Sequence, residues 1–212
     1  MEVTVRGSVV HYEDMGEGMP VVALHGYAAD HRLAVGWLEP VFAQLPGYRR
    51  LYPDLPGMGK SVPAPGLRNA DDMLETLIDW LCAVLGDQPF VLAGQSYGGY
   101  LALGLLCSRI AARVHGLMLL CPVTRAGRAE RTLPPHARLV EDAALLSQPR
   151  TRAMEDFLSF AVSATTGAWA RYRDEILPGL EAGDHDFINR FRRQGYALAC
   201  QARFSSLRYD RP

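Results

Sequence analysis

The chain has 212 residues, with 22 lysines and arginines against 23 aspartates and glutamates, for a net charge of −1. So balanced a charge gives no electrostatic case for nucleic acid or an acidic membrane surface as a partner. With 49% hydrophobic and 21% charged residues, this length suits one domain, or one domain with a sizeable insertion, around a real core.

Val3-Thr4-Val5 and Val9-Val10-His11-Tyr12, joined through Gly7-Ser8, predict a β-hairpin. The apolar run over residues 20–24 ends in His25-Gly26 and predicts a buried third strand. Apolar residues recur at helical spacing over 33–45 and stop at Pro46-Gly47. Residues 49–52 form a fourth short strand, closed by Pro53-Asp54-Leu55-Pro56-Gly57. Asn69 is placed to cap a helix with Met73, Leu74, Leu77, Ile78, Leu81 and Leu85 on its apolar face and Gly86 at its end. A strand over 90–93, a helix over 97–109 and a strand over Val114–Leu120 follow. Strands alternating with helices at this spacing predict βαβ units and a mostly parallel, doubly wound α/β sheet.

The pattern changes after Pro122. Residues 137–146, 152–163, 168–176 and 187–201 read as helices separated by prolines and glycines, with no strand signal. This predicts a core over 1–123, a helical cap over 124–205 and a return toward the core over 206–212. Met1-Glu2-Val3-Thr4 has neither a basic n-region nor an apolar h-region, and no window reaches the length of a membrane span. A soluble cytoplasmic protein, away from any membrane, is the expectation. Cys82, Cys107, Cys121 and Cys200 lie in apolar segments without CxxC spacing and are expected as buried free thiols.

The chemistry concentrates at Gly94-Gln95-Ser96-Tyr97-Gly98, between a predicted strand and a predicted helix. A serine on so sharp a turn needs flanking glycines where a Cβ would clash. The helix behind it lends positive potential to a developing oxyanion. Asp54-Leu55-Pro56-Gly57-Met58-Gly59-Lys60-Ser61 invites a phosphate-loop reading. Asp54 stands where that motif needs glycine, and Pro63 and Pro65 prevent the helix it requires, so phosphate binding is not expected here. His25 is read as a residue that shapes its loop. No pair of histidines has metal-ligand spacing, and nothing calls for a metal or a cofactor.

"LHGYAAD", "YPDLPGMGKS" and "LAGQSYGGYLAL", in that order and spacing, resemble the α/β-hydrolase fold superfamily. The likeness is close over residues 1–123, and the helical stretch resembles that family's variable cap. It implies a serine hydrolase of small ester or related acyl substrates, with Ser96 as nucleophile and the backbone N–H groups of Tyr27 and Tyr97 as oxyanion hole. Carbon–carbon bond hydrolysis, thioesterase action and cofactor-free peroxidation run on the same scaffold. So does a non-catalytic relative that binds a ligand or a partner protein.

The family order is serine, acid, histidine, with the last two beyond the cap. The chain reaches Pro212 with neither in its expected place, so it reads as truncated, with the base and acid absent. His185 in Gly183-Asp184-His185-Asp186 is a substitute base of low prior, and His136 a weaker one. His31 is read as beginning or preceding a helix, and His11 and His115 as packing or surface residues. Trp169, Tyr172, Phe187 and Phe191 are read chiefly as packing. Without a following strand, Val114–Leu120 would be an exposed apolar edge open to self-association.

Overall fold

The computed structural model describes residues Met1–Arg211. Its main sheet has six strands in the order β1-β2-β4-β3-β5-β6. The hairpin β1 (Glu2–Val5) and β2 (Ser8–Met15) is antiparallel, as is the pairing of β2 with β4 (Tyr48–Pro53). β3 (Met19–Leu24), β4, β5 (Phe90–Gln95) and β6 (Val114–Leu120) run parallel. The parallel strands need crossovers, and the helices between them supply these.

Side chains alternate across β3, so its two faces meet different helices. Ala23 packs with Ala34 and Leu38 of α1 (His31–Phe42) on one face, beside Tyr52 and Ala93. Val22 and Leu24 face the larger core, with Leu77, Ile78 and Trp80 of α2 (Ala70–Leu85) and Tyr100 and Leu101 of α3 (Tyr97–Leu106). Asn69 caps α2 by accepting from Asp72 N, and Gly86 ends it at φ 55°. Each large apolar side chain buried in this way contributes about 1.5–3 kcal/mol. The caps and the alternation therefore fix where α2 starts, stops and faces.

Beyond β6 the structure departs from the expected run of helices. Residues 137–146 do not form one helix: they hold a two-residue strand β7 (Val140–Glu141) and a single turn, α4 (Ala143–Leu146). α5 (Arg152–Leu158) stops early, and β8 (Ser163–Ala164) pairs parallel with β7. Thr165 and Val162 flank β8, and β-branched residues favour extended backbone there over helix. α6 (Thr166–Arg171) runs through a π-helical turn (Tyr172–Ile176) into α7 (Leu177–Ala182). α8 (His185–Gln194) ends at Gly195, and a 3-10 segment covers Ala199–Ser206. Leu145, Met154, Phe157, Leu158 and Tyr172 form a small core of their own. Phe187, Ile188 and Phe191 of α8 instead join the main core.

β6 is the sheet edge, with Met118 48% and Leu120 38% exposed. Tyr209 Oη and Arg211 Nη1 each donate to Val114 O at 3.2 Å, at the start of that strand. The cysteines are unpaired, and none is buried: Cys82 and Cys121 are exposed, Cys107 and Cys200 half-buried. Cys82 lies on the outer side of α2, and Cys121 on the turn that leaves β6 at φ 45°. An apolar neighbourhood in sequence did not translate into burial at either place. Among the described residues no helix is long and apolar enough to cross a membrane.

Candidate active site

Ser96 sits between β5 and α3 at φ 53°, ψ −112°, a conformation that costs a residue with a Cβ. Three backbone hydrogen bonds hold it there. Ser96 N donates to Leu120 O at 3.0 Å, while Ser96 O accepts from Tyr100 N at 3.1 Å and Val123 N at 3.0 Å. The flanking glycines are needed for close approach. A Cβ on Gly94 would lie 2.7 Å from Gly98 O, and one on Gly98 would lie 2.6 Å from His25 O and closer to Leu24 O. The turn is thus wedged against the end of β3.

The loop that leaves β3 comes up beside the serine. A Cβ on Gly26 would lie 3.4 Å from Ser96 Cβ and would overlap Gln95 Oε1. His25 fixes this loop. Its Nδ1 donates to Gly26 O at 2.7 Å and its Nε2 accepts from Leu55 N at 2.9 Å, which sets one neutral tautomer and ties the loop to the turn after β4. Burial pushes the His25 pKa down, against the upward pull of Asp54. Among the described residues, neither the Tyr27 nor the Tyr97 backbone N–H has a protein acceptor. For Tyr97 this follows from its place as first residue of α3, where N–H groups have no intrahelical partner.

The side chains of these two tyrosines do other work. Tyr97 is fully buried, with ring centroids 5.3 Å from Tyr27 and 4.4 Å from Tyr196. Its hydroxyl has no partner, and burial holds its pKa well above that of a free phenol. Tyr27 Oη donates to Ile188 O at 2.6 Å, linking the loop to α8, and Arg192 lies over its ring at 5.0 Å. Burial pushes the Tyr27 phenol up to about 12. Both phenols are neutral at physiological pH. The cluster of Tyr27, Tyr97, Tyr100 and Tyr196 was not apparent from the sequence, where its members are far apart.

Two cavities open near the elbow. One, of about 310 Å³, is lined by Gln95, Leu120, Trp37, Phe157, Phe160 and Tyr172. The other, of about 430 Å³, is lined by Tyr27 and Tyr196 with Arg128, Arg131 and Arg192. Of the four aromatics marked in the sequence, Tyr172 lines the first cavity, Phe187 and Phe191 pack in the core, and Trp169 stacks on Tyr172 at 5.6 Å.

Among the described residues, no histidine hydrogen-bonds Ser96. His136 Nε2 donates to Ala161 O at 3.1 Å, and His185 opens α8 beside a separate cavity lined by Arg152, Asp156 and Asn189. His115 is exposed on β6. His31 is the first residue of α1, capped by Asp30, and His31 Nδ1 donates to Asp54 Oδ1 at 2.8 Å. Burial opposes the Asp54 charge, but the His31 hydrogen bond and the backbone N–H of Lys60 hold its carboxyl below the usual range. His11, His31 and Asp54, which share no ligand spacing in the sequence, each bring a donor atom within 4.8 Å of the others. They are the residues placed to hold a metal ion, a possibility that linear spacing hid because they come from β2, α1 and the turn after β4.

Known proteins share this architecture. A family model described as the alpha/beta hydrolase fold matches residues 19–200. A pimeloyl-[acyl-carrier protein] methyl ester esterase of Shewanella woodyi is 29% identical over 167 residues, covering 76% of this chain and 59% of its own. A 2-succinyl-6-hydroxy-2,4-cyclohexadiene-1-carboxylate synthase of an Enterobacter species is 30% identical over 195 residues, covering 90% of this chain and 67% of its own. The crystal structure of an alpha/beta superfamily hydrolase from Oenococcus oeni PSU-1 superposes with a TM-score of 0.88 at 32% identity, over 100% of this chain and 77% of that one. The chain therefore spans 59% of the length of the first of these curated relatives. On its sheet order, its serine turn and a family match over most of its residues, the chain belongs to the α/β-hydrolase fold family.

Proposed function

We propose that this chain carries the nucleophile and the oxyanion-binding groups of a hydrolase for small esters or related acyl compounds. The observation that carries this reading is the strained Ser96 beside two backbone N–H groups that no protein acceptor takes up. Ser96 Oγ attacks the substrate carbonyl carbon, and the carbonyl oxygen becomes an oxyanion. The Tyr27 and Tyr97 N–H groups donate to that oxygen, with the N-terminus of α3 adding positive potential. Collapse of the tetrahedral intermediate expels the alcohol and leaves an acyl-serine, which water then cleaves. The first relative, named as a methyl ester esterase, supports the ester class.

Residues 124–205 act as a cap over this site, with 206–211 turning back toward the core; Pro212 of that segment lies outside the described residues. Phe157, Phe160 and Tyr172 share a cavity with Gln95 and Leu120, the neighbours of Ser96, and this supports the assignment. Arg128, Arg131 and Arg192 line the other cavity, and among the described residues none of them has a carboxylate partner. That charge fits a substrate with an anionic end. The unpaired cysteines fit a reducing, cytoplasmic compartment.

A serine hydroxyl needs a general base. Among the described residues no histidine hydrogen-bonds Ser96, and His25, His31 and His136 are engaged elsewhere, so this reading assigns no base or acid within residues 1–211. Hydrolysis of p-nitrophenyl acetate by this chain tests it. The expected rate is low, close to background, and is lost on Ser96→Ala, since oxyanion binding alone retains only part of a triad's effect. Fast turnover abolished by His185→Ala or His136→Ala would put the base in the helical layer instead. Turnover indifferent to Ser96→Ala would overturn the nucleophile.

A further inference from the structure

A second group of titratable side chains lies away from Ser96. β2 carries it, and β4 and β3 separate β2 from β5. His11 and Glu13 are two residues apart on β2, so they share one face of the sheet. His31, at the start of α1, meets them there, its ring centroid 5.6 Å from that of His11. Both imidazoles turn Nε2 toward the same oxygen, Glu13 Oε1, at 3.2 Å from His11 and 3.9 Å from His31. Both turn Nδ1 toward a different carboxylate: His31 toward Asp54 Oδ1 at 2.8 Å, and His11 toward Glu2 Oε1 at 3.9 Å.

This arrangement has the dimensions of a metal site. In a tetrahedral site with bonds of about 2.0–2.2 Å, donor atoms stand roughly 3.3–3.5 Å apart; His11, His31 and Asp54 each bring a donor atom within 4.8 Å of the others, and the two separations from Glu13 Oε1 bracket that value. The charges point the same way. Glu2, Glu13 and Asp54 pair with no lysine or arginine among the described residues; Glu2 is open to solvent, whereas no cationic side chain other than a histidine faces Glu13 or Asp54. The His11 and His31 side chains are 10% and 9% exposed and Asp54 is fully buried, so that charge needs a partner at close range. Glu13, 36% exposed, leaves an entry path.

We propose that His11, His31 and Asp54 bind a divalent transition-metal ion of the zinc class, with Glu13 on the exposed side as the fourth ligand. Two nitrogen donors beside two carboxylates favour zinc over magnesium or calcium, which take oxygen donors only. The bound ion ties β2 to the start of α1 and, through Asp54, to the turn after β4. His31 is four residues beyond Tyr27, so metal loading also stiffens the loop proposed to bind the oxyanion. The role is structural, and the ion takes no part at Ser96.

The test uses the whole chain, stripped with a chelator and titrated calorimetrically with Zn²⁺ at pH 7.5. One equivalent per chain is expected, together with a rise in Tm when Zn²⁺ is present, since an ion that binds only the folded state stabilises it. Glu13→Gln, an isosteric change at the most exposed ligand, and His11→Gln should each weaken binding at least tenfold while far-UV circular dichroism stays unchanged. Co²⁺ separates this site from the thiols, because coordination by nitrogen and oxygen gives weak visible bands without near-ultraviolet thiolate charge transfer. Absence of zinc uptake, uptake unaffected by either substitution, or a thiolate spectrum would each overturn the proposal.

Discussion

Replacing Gly98 by alanine tests how tightly the serine turn is wedged against β3. The added Cβ would lie 2.5 Å from Leu24 C and 2.6 Å from His25 O, and closer still to Leu24 O. These separations are about 1 Å inside ordinary contact. All three atoms are backbone, and β3 pairs with both β4 and β5, so no side-chain rotation relieves the overlap. Overpacking costs about 1–3 kcal/mol, and three fixed backbone atoms put this case near 3. Alanine recovers about 1 kcal/mol of helix propensity over glycine, which leaves a net loss of about 2 kcal/mol. With a urea m-value of about 2–3 kcal/mol/M, the midpoint should fall by roughly 0.7–1 M. Gly167→Ala in α6 is the control, because a Cβ there meets nothing within 4 Å, and its midpoint should hold or rise slightly. A Gly98→Ala midpoint equal to that of the parent would show that α3 does not press on β3 as described.

Three further outcomes are expected. Ser96→Gly relieves a Cβ at φ 53° and should raise stability by about 1 kcal/mol while removing any fluorophosphonate adduct; a lower urea midpoint would contradict the strain. His25 has its pKa pushed down by burial, so below about pH 6.5 the unfolded chain binds a proton that the folded chain refuses. This group's contribution is constant above that pH and falls on acidification by up to about 1.4 kcal/mol per pH unit. Parent stability should therefore drop more steeply than that of His25→Gln between pH 7.5 and 5.5, and equal slopes would refute the assignment. The exposed β6 edge, with Met118 and Leu120 outward, should give concentration-dependent light scattering that Met118→Lys suppresses; a monodisperse parent at every concentration would show that the edge is harmless.

The parallel sheet was legible in the sequence because its signals are local. Short apolar runs such as 90–93 end in glycine, Asn69 and Gly86 bracket α2, and Gly94 and Gly98 flank Ser96. The region after β6 was not legible to the same degree. Its apolar residues at 137–146 suit a helix, yet only Ala143–Leu146 is helical and Val140–Glu141 is a strand beside β8, because a tertiary pairing of Val140 with Ser163 outweighs weak local preference. The π-helical turn at Tyr172–Ile176 has no sequence signal comparable to a cap. The site divides along the same line. The serine turn and the loop after β3 are contiguous motifs, whereas the contacts of Tyr97 with Tyr196 and of His11 with His31 arise only when distant strands and helices meet. The Asp30-His31 pair ahead of an apolar helix was the one local hint of the latter, as a cap followed by a first-turn residue.

The claim on which the functional account rests is that Ser96 is the nucleophile, and covalent trapping reads it most directly. The chain would be incubated for hours with a fluorophosphonate and digested, and the adduct located by peptide mass spectrometry. Phosphonylation of Ser96 alone is expected, slow because no histidine hydrogen-bonds it among the described residues, and absent in Ser96→Ala. An adduct on another serine, or none on Ser96 after prolonged exposure, would contradict the account.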